Sequence, residues 1–123
     1  MKRVLCLLGG LALSVSAFAN NCENTRNVYD SIYCTNKMFA DADADLNKNY
    51  KTLRTKLTAK QKDILKTSQR AWIRERDAQC SDEGDQTVYV ECNLRYTQER
   101  NHWLIERMRE CKTVGCKTQK LYE

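Results

Sequence analysis

The chain has 123 residues, with 21 basic and 16 acidic side chains and a formal net charge of +5. The net positive charge is small, and basic and acidic residues are mixed along the chain, which is not typical of nucleic-acid-binding domains. We therefore expect no nucleic-acid partner. The length allows one domain and excludes a large cofactor fold, so we also expect no cofactor.

The first nineteen residues have the pattern of a secretory signal peptide. A basic start, Met1-Lys2-Arg3, precedes an apolar run from Val4 to Phe18 that is too short to span a bilayer. The run ends in the small-x-small sequence Ala17-Phe18-Ala19. We therefore expect cleavage after Ala19 and an exported product, residues 20–123, of net charge +3. Such a product is periplasmic or secreted and carries no integral membrane segment.

Helical spacing dominates the rest of the chain, which has no proline and, after Ala19, only two glycines. A short helix is expected between Glu23 and Tyr33. A long helix follows within residues 36–57, because apolar side chains recur there at steps of three and four. These side chains are Phe39, Ala42, Leu46, Tyr50, Leu53 and Leu57.

Two more long helices complete the predicted fold. One runs from Lys60 to Gln79 after an N-cap at Thr58, with Ile64, Leu65, Ser68, Trp72 and Ala78 facing inward. A loop at 81–85 separates it from a helix over Thr87–Arg109, whose inward stripe is Leu94, Thr97, Asn101, Leu104 and Met108. The prediction is an all-α fold, a small disulfide-stapled bundle of three long helices and one short N-terminal helix.

The tight connection at Lys56–Ala59 predicts an antiparallel hairpin of the first two long helices. Partners on the two helices then have residue numbers that sum to about 118. This register places Leu53 opposite Leu65, Leu46 opposite Trp72, and Asp43 near Arg74 or Arg76.

Six cysteines remain after cleavage: Cys22, Cys34, Cys80, Cys92, Cys111 and Cys116. An even number in a small exported domain indicates disulfides, and zinc is disfavoured because there is no C-x-x-C pair and only one histidine. Equal separations suggest the local pairs 22–34 and 80–92, which leave 111–116. The hairpin brings Cys34 and Cys80 to the same end, so the pairs 34–80 and 22–92 remain an alternative.

Two segments resemble a known family. Ala42–Tyr50 matches the pattern A-D-x-x-L-N-x-x-Y, and Gln69–Cys80 matches Q-R-x-W-x-x-x-R-D-x-x-C. These patterns are similar to those of the lysozyme inhibitor LprI-like N-terminal domain family, and the resemblance covers roughly Cys22 to Arg107. It implies a small all-helical secreted or periplasmic domain with the local pairs 22–34 and 80–92. The 111–116 pair is an addition to the family pattern, and we expect it to close a small loop at the end of the last helix.

The matched positions are expected to have structural roles. Trp72 is predicted to be a core residue. Asn47 and Tyr50 are predicted to pack and hydrogen-bond across the hairpin, and Arg70, Arg76 and Asp77 to form an interhelical salt-bridge network. The matched motif residues are Asp43, Leu46, Asn47, Tyr50, Arg70, Trp72, Arg76 and Asp77.

The resemblance implies a protein partner, a lysozyme or another wall hydrolase, and a function without catalysis. The single histidine, His102, has neither a free cysteine thiol nor a serine elbow to serve as its nucleophile, so we expect no catalytic site, and we expect no metal site. Animal-type lysozymes are basic, so an inhibitor gains from a locally acidic face. Asp41, Asp43 and Asp45 are expected to complement the dipole at the start of the first long helix. Asp82, Glu83 and Asp85, in the loop between two rigid helices, are the better candidate binding element.

Two functions follow as hypotheses. The first is an exported inhibitor that blocks a muramidase by steric occlusion of its cleft. The alternative is an envelope interaction or stress-resistance module, or the immunity partner of a wall-targeting toxin, without lysozyme binding. The sequence specifies neither the partner nor the oligomeric state.

Overall fold

A computed structural model describes residue 22 and residues 25–84 and 86–123. The predicted signal peptide, 1–19, lies outside the described residues, as does Asp85. The three long helices are α1 (Val28–Arg54), α2 (Ala59–Gln79) and α3 (Val90–Thr113). Two short strands, β1 (Ser81–Asp82) and β2 (Thr87–Val88), lie between α2 and α3, and a 3₁₀ helix follows at Thr118–Tyr122. The predicted all-α class is confirmed.

Helix α1 is one continuous element of 27 residues. The helix expected at 23–33 is therefore not separate, and its later part forms the first turns of α1. The sequence of α1 contains no glycine or proline that would interrupt it. The helix begins where the side-chain oxygen of Asn27 accepts a hydrogen bond from the backbone N–H of Asp30, at 2.9 Å.

This continuity changes the place of the first acidic cluster. Asp41, Asp43 and Asp45 lie in the middle of α1, more than three turns after its start at Val28. The field of the helix dipole acts on charges within the first turn. The expectation that these acids complement the dipole is therefore wrong.

Helix α2 starts from a complete capping box. The hydroxyl oxygen of Thr58 accepts from the N–H of Gln61 at 3.2 Å, and the Gln61 side chain accepts from the N–H of Thr58 at 3.0 Å. The short turn before Thr58 reverses the chain, and an ion pair of 3.7 Å joins Asp43, in the middle of α1, to Arg76, near the end of α2. Leu53 and Leu65 share the core, as the antiparallel register predicts. The predicted inward position of Ala78 is wrong, because its side chain is exposed.

The closest helix pair in the bundle is α1 with α3 rather than α1 with α2. The side-chain amide of Asn101 on α3 donates to the backbone carbonyl of Ala42 at 3.0 Å and accepts from the Asn49 amide at 3.2 Å. Contact with a backbone carbonyl requires close approach, which a small residue such as Ala42 permits. Tyr50 of α1 and Trp72 of α2 are partly buried and pack against the leucine core.

The core is a cluster of leucines drawn from every helix. Its buried members are Leu46, Leu53, Leu57, Leu65, Leu104 and Leu121. Leu121, only 1% exposed, lies in the C-terminal 3₁₀ helix, which packs on α2. Residues Cys111 and Cys116 are bonded, with their Cα atoms 4.1 Å apart, and turn the chain back after α3. The tail is therefore part of the core.

None of the helices in the described part of the chain combines the length and apolar composition that a membrane span requires.

Candidate functional site

The loop after α2 is a small β-hairpin, called here the acidic hairpin (residues 81–88). Its strands pair antiparallel, with Ser81 opposite Val88 and Asp82 opposite Thr87. Cys80 and Cys92 are disulfide-bonded across its base, with Cα atoms 5.3 Å apart, and Cys80 is fully buried. The N–H of Tyr89 donates to the carbonyl of Cys80 at 2.7 Å. The base of the hairpin is therefore anchored in the bundle.

The tip of this hairpin presents two of the three predicted acids. Asp82 and Glu83 are exposed, while Asp85 lies outside the described residues. An Asp82 carboxylate oxygen accepts from the N–H of Gly84 at 2.9 Å, a local bond that stabilises the turn. Gln86 completes the reversal with a positive φ of 58°. The turn geometry thus leaves the Glu83 side chain exposed beside Asp82.

The other acidic cluster does not form a comparable surface. Asp41 pairs with Lys37 at 3.3 Å, and Asp43 pairs with Arg76 at 3.7 Å. Of the three acids in this cluster, only Asp45 forms no ion pair with a described residue, and its side chain is exposed. Neighbouring cations therefore compensate most of the negative charge in the middle of α1.

Most of the motif residues meet in an open groove of about 580 Å³ between α1 and α2, called here the motif groove. Its lining comes from one stripe of each helix. The lining residues are Asp43, Leu46, Asn47, Tyr50, Arg54, Lys66, Gln69, Arg70, Ile73 and Arg76. Two segments that are far apart in sequence thus form one surface.

The expected salt-bridge network is present only in part. Arg76 lies 3.0 Å from Asp77 on its own helix and 3.7 Å from Asp43 on α1. Arg70 is exposed and forms no ion pair with a described residue. Arg76 therefore connects the two helices, whereas Arg70 projects its charge into the motif groove.

The polar bonds expected across the hairpin are not found between the described residues. The hydroxyl of Tyr50 accepts from Arg54, one turn later on the same helix, at 3.4 Å. Asn47 is exposed. Its amide is therefore accessible from solvent, and the prediction that Asn47 and Tyr50 bond across the hairpin is wrong.

Trp72 is half-buried against the leucine core and belongs to a stack of aromatic rings and arginines. The guanidinium of Arg76 lies 5.2 Å from its ring centroid, and that of Arg100 lies 5.8 Å away. Arg100 is closer still to Trp103, at 3.7 Å. Cation–π attraction of this kind fixes the orientation of both guanidinium groups.

Arg100 is a buried residue that the sequence reasoning missed. It is 4% exposed, and its Nε donates to the Gln69 side-chain oxygen at 2.8 Å. Desolvation on burial, assisted by the nearby Arg107 charge and opposed by the Glu123 carboxylate, lowers its pKa to about 10. Arg100 lies three residues after Thr97, a member of the predicted inward stripe of α3, and this helical spacing is the sequence signal for its burial.

The described residues contain no group of three or more histidine, cysteine, aspartate or glutamate side chains arranged to hold a metal ion. Their six cysteines are all disulfide-bonded, in the pairs 22–34, 80–92 and 111–116. The structure thus has the local pairing and not the alternative one. His102 is exposed on α3. The acidic hairpin and the motif groove are the two candidate recognition features that contain residues singled out from the sequence.

Comparison with known proteins gives one match. A family model described as Lysozyme inhibitor LprI matches residues 19–114, which include both motif segments, the acidic hairpin and all of α3. No curated protein and no solved structure matches the chain. Because the match covers most of the chain, the protein belongs to the lysozyme inhibitor LprI family.

Proposed function

We propose that this protein is an exported inhibitor of a lysozyme-type muramidase, and that the acidic hairpin enters the cleft of its target. Membership of a lysozyme inhibitor family supports the inhibitor class. Three disulfides are consistent with an extracytoplasmic location, since thiols are kept reduced in the cytosol.

The observation that carries the proposal is the anchored hairpin with exposed acids at its tip. A flexible loop loses conformational freedom on binding, and this cost weakens the complex. The disulfide at residues 80 and 92 and the buried Cys80 restrict the acidic hairpin before it meets a partner. Its shape is therefore preorganised for insertion and for steric occlusion.

Charge determines which part of the surface can face a basic enzyme. The chain as a whole carries a net positive charge and repels such an enzyme at long range. Asp82 and Glu83 provide a local negative potential at one end of the bundle. Opposite charges steer the encounter and raise the association rate, so the hairpin end approaches first.

A cell-wall turbidity assay with hen and human lysozyme tests the proposal, using pure oxidised protein. The informative variant is D82N/E83Q, because an asparagine oxygen can still accept the turn-forming bond from Gly84. The matched control, E75Q/E99Q, neutralises two exposed acids on α2 and α3. We expect about tenfold weaker inhibition by D82N/E83Q, a difference that shrinks at high salt, and little change in the control.

Two outcomes would contradict the proposal in different ways. No slowing of lysis by wild type at a several-fold molar excess would exclude these lysozymes as targets. Equal loss of inhibition in both variants would exclude the acidic hairpin as the binding element.

A further inference from the structure

We infer that the motif groove binds an acidic polypeptide segment of a second protein, at a site separate from the acidic hairpin. The inference rests on the lining of the groove and does not depend on lysozyme inhibition. Of its ten lining residues, all except Arg54 and Lys66 lie within the two motif segments. The residues that carry the family resemblance therefore converge on one concave surface.

The electrostatics of the groove are strongly one-sided. Four of its lining side chains are basic, Arg54, Lys66, Arg70 and Arg76, and one is acidic, Asp43. The single acid already pairs with a lining cation at 3.7 Å. Lys66 and Arg70 are exposed, and neither forms an ion pair with a described residue. Two uncompensated cations beside a concave surface attract an anionic ligand.

Apolar side chains between the charges favour a polypeptide over a polyanion that offers charge alone. Leu46 and Tyr50 of α1 line the groove opposite Ile73 of α2, whose exposed fraction is 36%. An apolar side chain of a bound peptide would be partly desolvated there. The exposed Asn47 amide provides both a donor and an acceptor for a peptide backbone.

The spacing of the cations matches that of side chains on an extended peptide. Lys66 and Arg70 are four residues apart on α2, which is about 6 Å along a helix. Every second side chain of an extended segment lies on the same face, at intervals of about 6.8 Å. Acidic residues at alternate positions of a bound segment can therefore meet successive cations along the groove.

The same charges disfavour the basic surface of a lysozyme as the occupant. A basic enzyme rim placed over Lys66 and Arg70 would put like charges together, which weakens association. The acidic hairpin therefore suits a basic partner, whereas the motif groove suits an acidic partner.

Fluorescence anisotropy with a labelled peptide of alternating glutamate and serine around one central leucine tests this inference. The variant K66Q/R70Q removes two exposed charges of the groove, neither of which forms an ion pair or a hydrogen bond with a described residue. The control R95Q/K112Q removes one arginine and one lysine that are exposed on α3, outside the groove. We expect salt-sensitive binding by wild type, about fivefold weaker binding by K66Q/R70Q, and less than a twofold change in the control.

The opposite results are equally clear. Absence of binding, or an equal loss in both variants, overturns the proposed site. Tighter binding of phosphatidylglycerol vesicles or heparin fragments than of the peptide, with the same dependence on K66Q/R70Q, overturns the polypeptide as the occupant. Loss of lysozyme inhibition in K66Q/R70Q overturns the separation of the two sites, whereas unchanged inhibition supports it.

Discussion

Replacement of Arg100 by methionine tests how the buried polar cluster of the bundle is stabilised. The Arg100 side chain donates to the Gln69 oxygen at 2.8 Å and to the backbone carbonyl of Glu123 at 3.3 Å. Its guanidinium lies 3.7 Å from the ring centroid of Trp103. These contacts oppose the cost of burying a charge in a residue that is 4% exposed.

The two sides of this balance are of similar size. Desolvation on burial, assisted by the Arg107 charge, lowers the pKa of Arg100 from its usual value to about 10, so the buried charge costs about 3 kcal/mol of folding stability at neutral pH. Methionine removes that cost. It also leaves the buried Gln69 oxygen without a donor and removes one further hydrogen bond and the cation–π contact, a loss of about 4 kcal/mol. We therefore expect R100M to lower the free energy of unfolding by about 1 kcal/mol.

The double variant Q69M/R100M separates these contributions. With both hydrogen-bonding groups replaced by apolar side chains, no buried oxygen of residue 69 remains unpaired, so we expect it to be at least about 1 kcal/mol more stable than R100M. Because the folded-state pKa is lowered but still near 10, Arg100 stays protonated in both states below that value. The difference between wild type and R100M should therefore not change between about pH 5 and 9.

Urea unfolding of the oxidised protein, followed by far-UV circular dichroism, measures these differences. R95M is the control, since Arg95 is exposed on the same helix and its replacement should change stability little. An R100M variant as stable as wild type would show that the hydrogen bonds do not outweigh the burial cost. A double variant no more stable than R100M would show that residues 69 and 100 are not coupled.

Three further predictions concern the contributions of the leucine core, a helix cap and a disulfide to the stability of the bundle. L104A should lose about 3–5 kcal/mol in urea unfolding, because Leu104 is fully buried in the leucine core; a loss below about 1 kcal/mol would contradict that packing. T58A should lose about 1 kcal/mol by the same measurement, since it breaks the capping box with Gln61, and an unchanged midpoint would mean that the cap contributes nothing. C80S/C92S should lose about 3 kcal/mol and also weaken lysozyme inhibition in the turbidity assay, because the base of the acidic hairpin is released. Full inhibition by a C80S/C92S variant that remains folded would refute the role of preorganisation.

Local patterns in the sequence predict the helices well. The spacing of leucines defines the inward faces of α1 and α2, and the residues after Lys56 define the turn between them. The sequence predicts the N-cap at Thr58, because its hydroxyl precedes the apolar repeat of α2, and the structure adds the reciprocal bond with Gln61. Such signals depend on neighbouring residues and on backbone geometry alone.

The same local signals misplaced or missed several features. The apolar spacing places the first acidic cluster at a helix start, because a single uninterrupted α1 and a short helix followed by a longer one have the same periodicity. The burial of Leu121 is not predicted from the sequence, because a single leucine in a short tail shows no periodic spacing. The exposed position of Asn47 could not be read from spacing either, since it depends on how closely α2 approaches α1.

By itself the sequence determined three amphipathic helices, the turn between the first two, and the family to which the paired segments point. Only the tertiary structure decided that α1 packs most closely on α3, that Arg100 is buried between two tryptophans, and that the motif residues line a basic groove. The physical reason is the range of the interactions. Helix formation depends on contacts within a few residues, whereas the burial of a charge and the lining of a groove depend on side chains that are distant in sequence and meet only after the helices pack.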